Sequence, residues 1–314
     1  MQNDNSSAII ALCSRLCMGE GVDPLEPAEW SSLSKKLIAA GRQPGELFDF
    51  SDDDFRLLFA DGEIQRIKRL LDRSASLSFE VQKLRGMGIE IVTRADGGYP
   101  ASLKKKLGQG CPPLFYCAGN TELLAHECIG FVGSRNASEE DLNFTGLYAG
   151  KVLSAGFSVV SGGARGVDER ASQTALERGG EAIEFLSDSM LRRIKKAPVV
   201  HAVREGRMLI LSAAKPDAGF NVGLAMQRNR YIYCQALSVV VVKSDLEKGG
   251  TWSGATDNLA GKWSKTYCWD NKNYKGNMAL IRMGAIPLTA DTDPSDMKKD
   301  LPQSATAKQQ SIFD

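Results

Sequence analysis

Between residues 129 and 288 the chain alternates short apolar runs with helical patterns, and small-residue turns join them. This pattern constrains the fold more than any other feature. The clearest unit is Val159-Val160-Ser161-Gly162-Gly163-Ala164-Arg165-Gly166-Val167-Asp168. Phe157 to Val160 reads as a buried strand, and a helical pattern through Ala171, Ala175 and Leu176 follows the turn. Further strands are predicted at 129–132, 182–186, 199–203, 208–211, 239–242 and 266–269. Helices are predicted at about 139–155, 191–196, 221–236 and 276–283, with another that the glycine turn 249–254 opens and that runs to about 261. Strands that alternate with helices imply a mostly parallel sheet with helices on both faces. The expected class is therefore α/β, an extended Rossmann-like core.

The first 86 residues differ. Patterns at 8–18, 29–40, 62–71 and 77–86, with Ser51 as an N-cap ahead of three aspartates, read as a small all-helical domain. No hairpin glycine motif marks it as a DNA-backbone binder. A core domain over 87–290 and a polar tail without fixed structure over 291–314 complete the expected organisation.

The seven cysteines form no repeated C-x-x-C unit, which fits reduced thiols and a cytoplasmic protein. With only His126 and His201, a metal centre or a Ser-His-Asp triad has little support, and no metal, cofactor or catalytic residue is expected. The first residues lack a signal peptide's charged start and apolar core, and no apolar run approaches a membrane span. Net charge is +1, yet residues 126–290 carry 21 Lys+Arg against 16 Asp+Glu. The middle of the chain is thus the expected home of an anionic ligand.

Three loops carry the candidate chemistry: Gly133-Ser134-Arg135, Ser161 to Asp168, and Gly249 to Gly254. In an open parallel sheet, loops at the carboxyl ends of strands share one edge and form the ligand crevice. Backbone N–H groups at helix starts, the hydroxyls of Ser134, Ser161, Thr251 and Ser253, and guanidinium forks all suit phosphate. Glycine lets the backbone approach a ligand closely. No turn matches G-x-G-x-x-G or G-x-x-x-x-G-K-[ST], which disfavours a dinucleotide oxidoreductase and a P-loop ATPase.

The order Gly-Ser-Arg, Ser-Gly-x-Ala-Arg-Gly-x-Asp, Arg-Asn-Arg, then a Gly- and Thr/Ser-rich turn resembles the DNA-processing protein A (DprA/Smf) family. The resemblance begins at Tyr99-Pro100 and runs to Gly284-Ala285-Ile286-Pro287-Leu288. It implies a core that binds and shields single-stranded DNA and helps load the recombinase RecA during DNA uptake, and it implies a homodimer. By that resemblance Gly133, Ser134 and Arg135 hold one backbone phosphate. Ser161, Gly162, Gly163, Arg165 and Gly166 form a second cradle that Asp168 orients. Arg228 and Arg230 add charge to the same groove, and Asn229 supplies a hydrogen bond. Thr251 and Ser253 match the family's Ser/Thr turn less closely. The sequence departs from the pattern at Ser172 (a histidine in the family), Gly163 (leucine), Lys243 (acidic) and Leu191 to Lys196 (a Tyr-Pro segment), and its short polar tail is not expected to form the winged-helix-like domain in which many members end.

Two other readings compete. A nucleotide sensor, or an enzyme resembling nucleotide phosphoribohydrolases, would use a Pro-Gly-Gly-x-Gly-Thr-x-x-Glu signature; here Lys248 to Ala255 lacks its proline and glutamate. A purely structural partner module is the third.

Overall fold

A computed structural model describes residues 3–18 and 21–298. Among these residues the chain divides into two compact units between Cys117 and Ala118.

The first unit begins with helices α1 (Asp4–Cys13), α2 (Pro27–Ala39), α3 (Asp52–Leu58), α4 (Asp61–Leu71) and α5 (Ser74–Gly86). Polar residues set their starts. The Asn3 side chain accepts from the Ser6 N–H, and Ser51 and Asp54 cap α3 reciprocally. Arg73 donates to the carbonyls of Ala11 and Ser14 at 2.7 and 2.6 Å, satisfying acceptors that the end of α1 leaves open. Ile9, Leu12, Trp30, Leu37, Leu47 and Leu70 are fully buried at its centre. The unit continues through β1 (Glu90–Thr93), α6 (Ala101–Leu107) and β2 (Leu114–Gly119), whose last two residues fall in the second unit. β1 and β2 pair antiparallel, with Glu90 opposite Cys117.

The second unit is the α/β core. Its elements are β3 (Cys128–Val132), α7 (Glu139–Ser154), β4 (Ser158–Ser161), α8 (Val167–Glu177), β5 (Ala182–Leu186), α9 (Met190–Arg193), α10 (Ala197–Arg204), β6 (Met208–Ser212), α11 (Val222–Gln235), β7 (Ser238–Val241), α12 (Gly249–Gly261), β8 (Lys265–Trp269), α13 (Lys275–Arg282) and β9 (Ile286–Leu288). The strand order is β6-β5-β4-β3-β7-β8-β9, with parallel pairing throughout. Ile129, Val159, Val160, Ile183, Leu209 to Leu211 and Val239 to Val242 are fully buried, as strands covered on both faces require.

The order positions the site. From β3 the chain steps outward through β4, β5 and β6, then returns to the other side of β3 as β7. β3 is therefore flanked by strands that wind in opposite directions, and the crevice of such a sheet opens at the carboxyl ends of those central strands.

Three expectations need correction. Residues 199–203 belong to helix α10, not a strand. Pro198 stands in the helix's first turn, where its missing N–H costs nothing, and the buried Val199 and Ala202 have helical spacing. A short apolar run does not by itself distinguish the two elements. The stretch Gly249 to Gly254 is not a turn but the first turns of α12; the chain reverses just before it, where Glu247 (φ +56°) and Gly249 (φ +78°) adopt positive φ. Residues 291–298 are ordered: Pro294–Lys298 forms a 3-10 turn, Met297 is fully buried, and Tyr148 donates to the Thr292 carbonyl at 3.2 Å. The remainder of the expected tail, 299–314, lies outside the described residues.

All seven cysteines are free thiols. No helix among the described residues is long and apolar enough to cross a membrane.

Candidate functional site

The loops after β3 and β4 meet because two residues between them are small. A methyl group at Gly133 would sit 2.5 Å from Val167 Cγ2, and one at Gly166 would sit 2.5 Å from the Ser134 carbonyl oxygen. Gly166 also has φ +91°, which disfavours any other residue. Gly162 is the tightest: an added methyl would lie 0.8 Å from Arg228 Nη1 and 2.6 Å from Asp168 Oδ2.

That last contact exposes the floor of the site. Asp168 and Arg228 are both buried, and Arg228 Nη1 donates to Asp168 Oδ2 at 3.1 Å. The Gly162 N–H donates to the same oxygen at 3.2 Å. Burial pushes the Asp168 carboxyl above its ordinary range, against the opposing pull of Arg228 and of the Gly162 and Ala164 N–H groups. Beside the pair, the Ser161 hydroxyl is fully buried, 2.9 Å from the Ser172 hydroxyl and 3.2 Å from the Asp168 carbonyl. Ser172 thus packs as a small hydrogen-bonding residue under the turn.

Above this floor stand arginines of a different kind. Arg135 and Arg165 are exposed. Arg165 reaches the Arg135 carbonyl at 3.3 Å and Asn136 Oδ1 at 2.9 Å, and the Arg135 guanidinium lies 4.8 Å from the centre of the Phe220 ring. From the short helix α9 that follows β5, Arg192 donates to the Ser189 hydroxyl at 2.9 Å. Among the described residues no carboxylate pairs with Arg135, Arg165 or Arg192. By contrast, Arg193 is held by the buried Glu184, and Lys196 by Glu169 at 3.1 Å.

Two clefts open on this rim. One, of about 310 Å³, is lined by Gly133, Ser134, Arg135, Asp168, Arg228, Asn229, Lys243, Lys248 and Gly249 to Thr251. The other, of about 460 Å³, is lined by Gly162 to Arg165, Arg135, Asp188, Ser189, Arg192, Arg193 and Lys196. Arg228 Nε and the Tyr233 hydroxyl, buried on residues that line the first cleft, have no hydrogen-bond partner among the described residues. Unsatisfied buried polar atoms are uncommon in stable folds and call for an explanation.

The structure therefore sorts the fourteen sequence candidates. Gly133, Ser134, Arg135, Gly162, Gly163, Arg165, Asp168, Arg228, Asn229 and Thr251 line one or both of these clefts. Gly166 brings the two loops together. Ser161 is fully buried beneath them. Arg228 does not add free charge to the groove, because Asp168 neutralises it. Asn229 acts within the protein, donating to the Gly250 carbonyl at 3.1 Å and so holding the start of α12. Arg230 points elsewhere, pairs with Asp257 at 3.2 Å, and with Ser253 is absent from the lining of both clefts.

The rim also carries residues that were not among the sequence candidates, Arg192, Lys196, Lys248 and Phe220 among them. The basic run Leu191 to Lys196 signalled the first two, but nothing in the sequence placed it at this edge. Phe220 carries no periodic signal at all.

Lys243, where the family pattern has an acid, pairs instead with the buried Asp141 at 3.1 Å. Burial pushes that carboxyl up. The Tyr274 hydroxyl, Ser138 and Lys243 outweigh burial and hold it below its ordinary range.

The chain is similar to known proteins in sequence and in fold. The family model described as DNA recombination-mediator protein A matches residues 90–300. No curated protein matches by sequence. Among solved structures, DNA processing protein A from Streptococcus pneumoniae aligns with a TM-score of 0.64 at 22% identity, over 84% of this chain and 95% of that one. DNA processing protein A from Helicobacter pylori, reported for its single-stranded DNA binding mode, aligns with a TM-score of 0.55 at 22% identity, over 67% of this chain and 95% of that one. At such identity the structures establish the shared Rossmann-like fold. The family model spans well over half of the residues, including both glycine loops and the clefts between them, and the chain belongs to the DNA recombination-mediator protein A family.

Proposed function

We propose that this protein binds single-stranded DNA along the two clefts, through backbone phosphates and without cleaving the strand. One observation carries the reading: Arg135, Arg165 and Arg192 are exposed, have no carboxylate partner among the described residues, and are gathered at the carboxyl ends of the central strands. Planar guanidinium forks whose charge no internal carboxylate matches suit phosphate oxygens. Two clefts side by side suit a chain of phosphates better than a single one. The Helicobacter relative's single-stranded DNA binding mode supports the same choice of ligand. The fixed pair Asp168–Arg228 shapes the groove and contributes no net charge. Protection of the strand, loading of a RecA-type recombinase and assembly as a homodimer in the cytoplasm complete the proposal, and they rest on family membership.

The test is binding of a labelled oligonucleotide, single- and double-stranded, over a salt series. Arg165→Ala and Arg135→Ala should each weaken single-strand binding and lower its salt slope by roughly 0.7 per lost phosphate contact. Unchanged affinity and slope in both variants would overturn the assignment. Tight binding or cleavage of a mononucleotide would favour a nucleotide enzyme or sensor instead.

A further inference from the structure

We infer that Phe220 is a nucleobase-stacking platform, set between the two phosphate clefts and backed by the Arg135 guanidinium. The inference rests on the single-stranded DNA reading above and deepens it, since it gives the groove a contact to bases as well as to phosphates.

Phe220 stands on the loop between β6 and α11, so it reaches the same sheet edge as the glycine loops by a separate route. It is 57% exposed, on the rim that also carries Arg135, Arg165 and Arg192. An aromatic ring left that far in water contributes little to the core, so folding does not account for it. It is nevertheless held by a contact: Arg135, which has no carboxylate partner among the described residues, lies 4.8 Å from the ring centre. A cation over an aromatic face is favourable and orients the ring.

The two clefts share Arg135, Ala164, Phe220 and Arg228. Phe220 is thus a divider with a basic cleft on each side. A strand whose successive phosphates occupy the two clefts must carry a base past the divider. Every base has a π-face, so a ring at that point binds without selecting sequence. At position 163 this chain has glycine (φ +61°), so the neighbouring turn offers no side chain for stacking. Phe220 is the exposed aromatic of this rim.

Two oligomers of equal length and charge test the inference: oligothymidylate, and an abasic deoxyribose-phosphate chain. Phe220→Ala should weaken oligothymidylate binding by about 5-fold or more, leave abasic binding unchanged, and leave the salt slope unchanged. Phe220→Trp should restore the affinity. The emission of its added indole, read as the difference from the unaltered protein, should be quenched by oligothymidylate but not by the abasic chain. Equal losses on both oligomers, no loss on either, or an added indole whose emission is indifferent to the bases would overturn the platform while leaving phosphate binding intact. If the unaltered protein bound neither oligomer, the single-stranded DNA reading itself would fall.

Discussion

Arg165 and Arg228 both lie in motifs that the family pattern assigns to phosphate binding, yet the fold gives them opposite tasks. Arg228 is buried against Asp168 and forms the floor of the site. Arg165 is exposed on the rim and bonded only to neutral oxygens of Arg135 and Asn136. A guanidinium whose charge is already matched by a buried carboxylate cannot also neutralise a phosphate. The floor stores geometry, and the rim offers charge. Mutations in the two layers should therefore separate, with floor variants losing stability and rim variants losing affinity.

The largest effect is expected at the floor. Asp168→Ala leaves the Arg228 charge buried and unpaired, and Arg228→Ala does the same to Asp168. Each should cost about 3–5 kcal/mol of stability in urea unfolding. A loss below ~1 kcal/mol in both would erase the distinction between floor and rim.

A second buried carboxylate extends the point through pH. Asp141 is held below its ordinary range by the Tyr274 hydroxyl, Ser138 and Lys243 despite its burial. A depressed folded-state value means the ionised form is stabilised by folding. That stability is present above the unfolded value near ~3.9 and is lost as pH falls through the folded one. Asp141→Asn should cost roughly 1.5–3 kcal/mol at neutral pH. The gap from the unaltered protein should narrow below about pH 4, as measured by denaturant midpoints across pH.

Gly162→Ala comes next. The added methyl collides with the Arg228 guanidinium, and that side chain cannot swing away without leaving Asp168. The expected cost is about 1–3 kcal/mol, with binding reduced because both clefts deform. At the rim, Arg165→Ala should leave the unfolding midpoint within ~0.5 kcal/mol of the unaltered protein while lowering the salt slope of DNA binding. The smallest effect belongs to Arg230. Its exposed pair with Asp257 is worth under ~1 kcal/mol, and Arg230→Ala should leave DNA affinity and slope unchanged. A clear loss of affinity there would mean that the strand follows a path outside the two clefts.

The departures from the family pattern also become intelligible in three dimensions. Ser172 bonds Ser161 under the turn, and Lys243 meets Asp141 from α7 rather than standing in for an acid on β7. The segment with basic residues in place of Tyr-Pro puts Arg192 and Lys196 on the 460 Å³ cleft. These side chains change around a glycine framework that keeps the two loops in contact.

Much of the fold is legible in the sequence because its signals are local. Buried parallel strands read as unbroken apolar runs, as 208–211 and 239–242 do. Ser138 capping α7 and Gly156 ending it at φ +84° follow from the chemistry of a few adjacent residues. The stretch 199–203 is the exception, since three valines and an alanine suit either element until Pro198 and packing decide.

The α/β alternation, the glycine loops at strand ends and the residue types of a phosphate site are all written in the chain itself. Steric freedom, apolar periodicity and hydrogen-bonding capacity belong to each residue wherever it stands. Which arginine is free is settled by long-range folding alone. Asp168 and Arg228 are 60 positions apart in the chain, and they pair because α11 crosses the end of β4 where Gly162 leaves room. The same folding brings Phe220 from beyond β6 to stand over Arg135. Burial and pairing are properties of a neighbourhood, and this neighbourhood exists only once strands that lie far apart in the chain have been placed side by side.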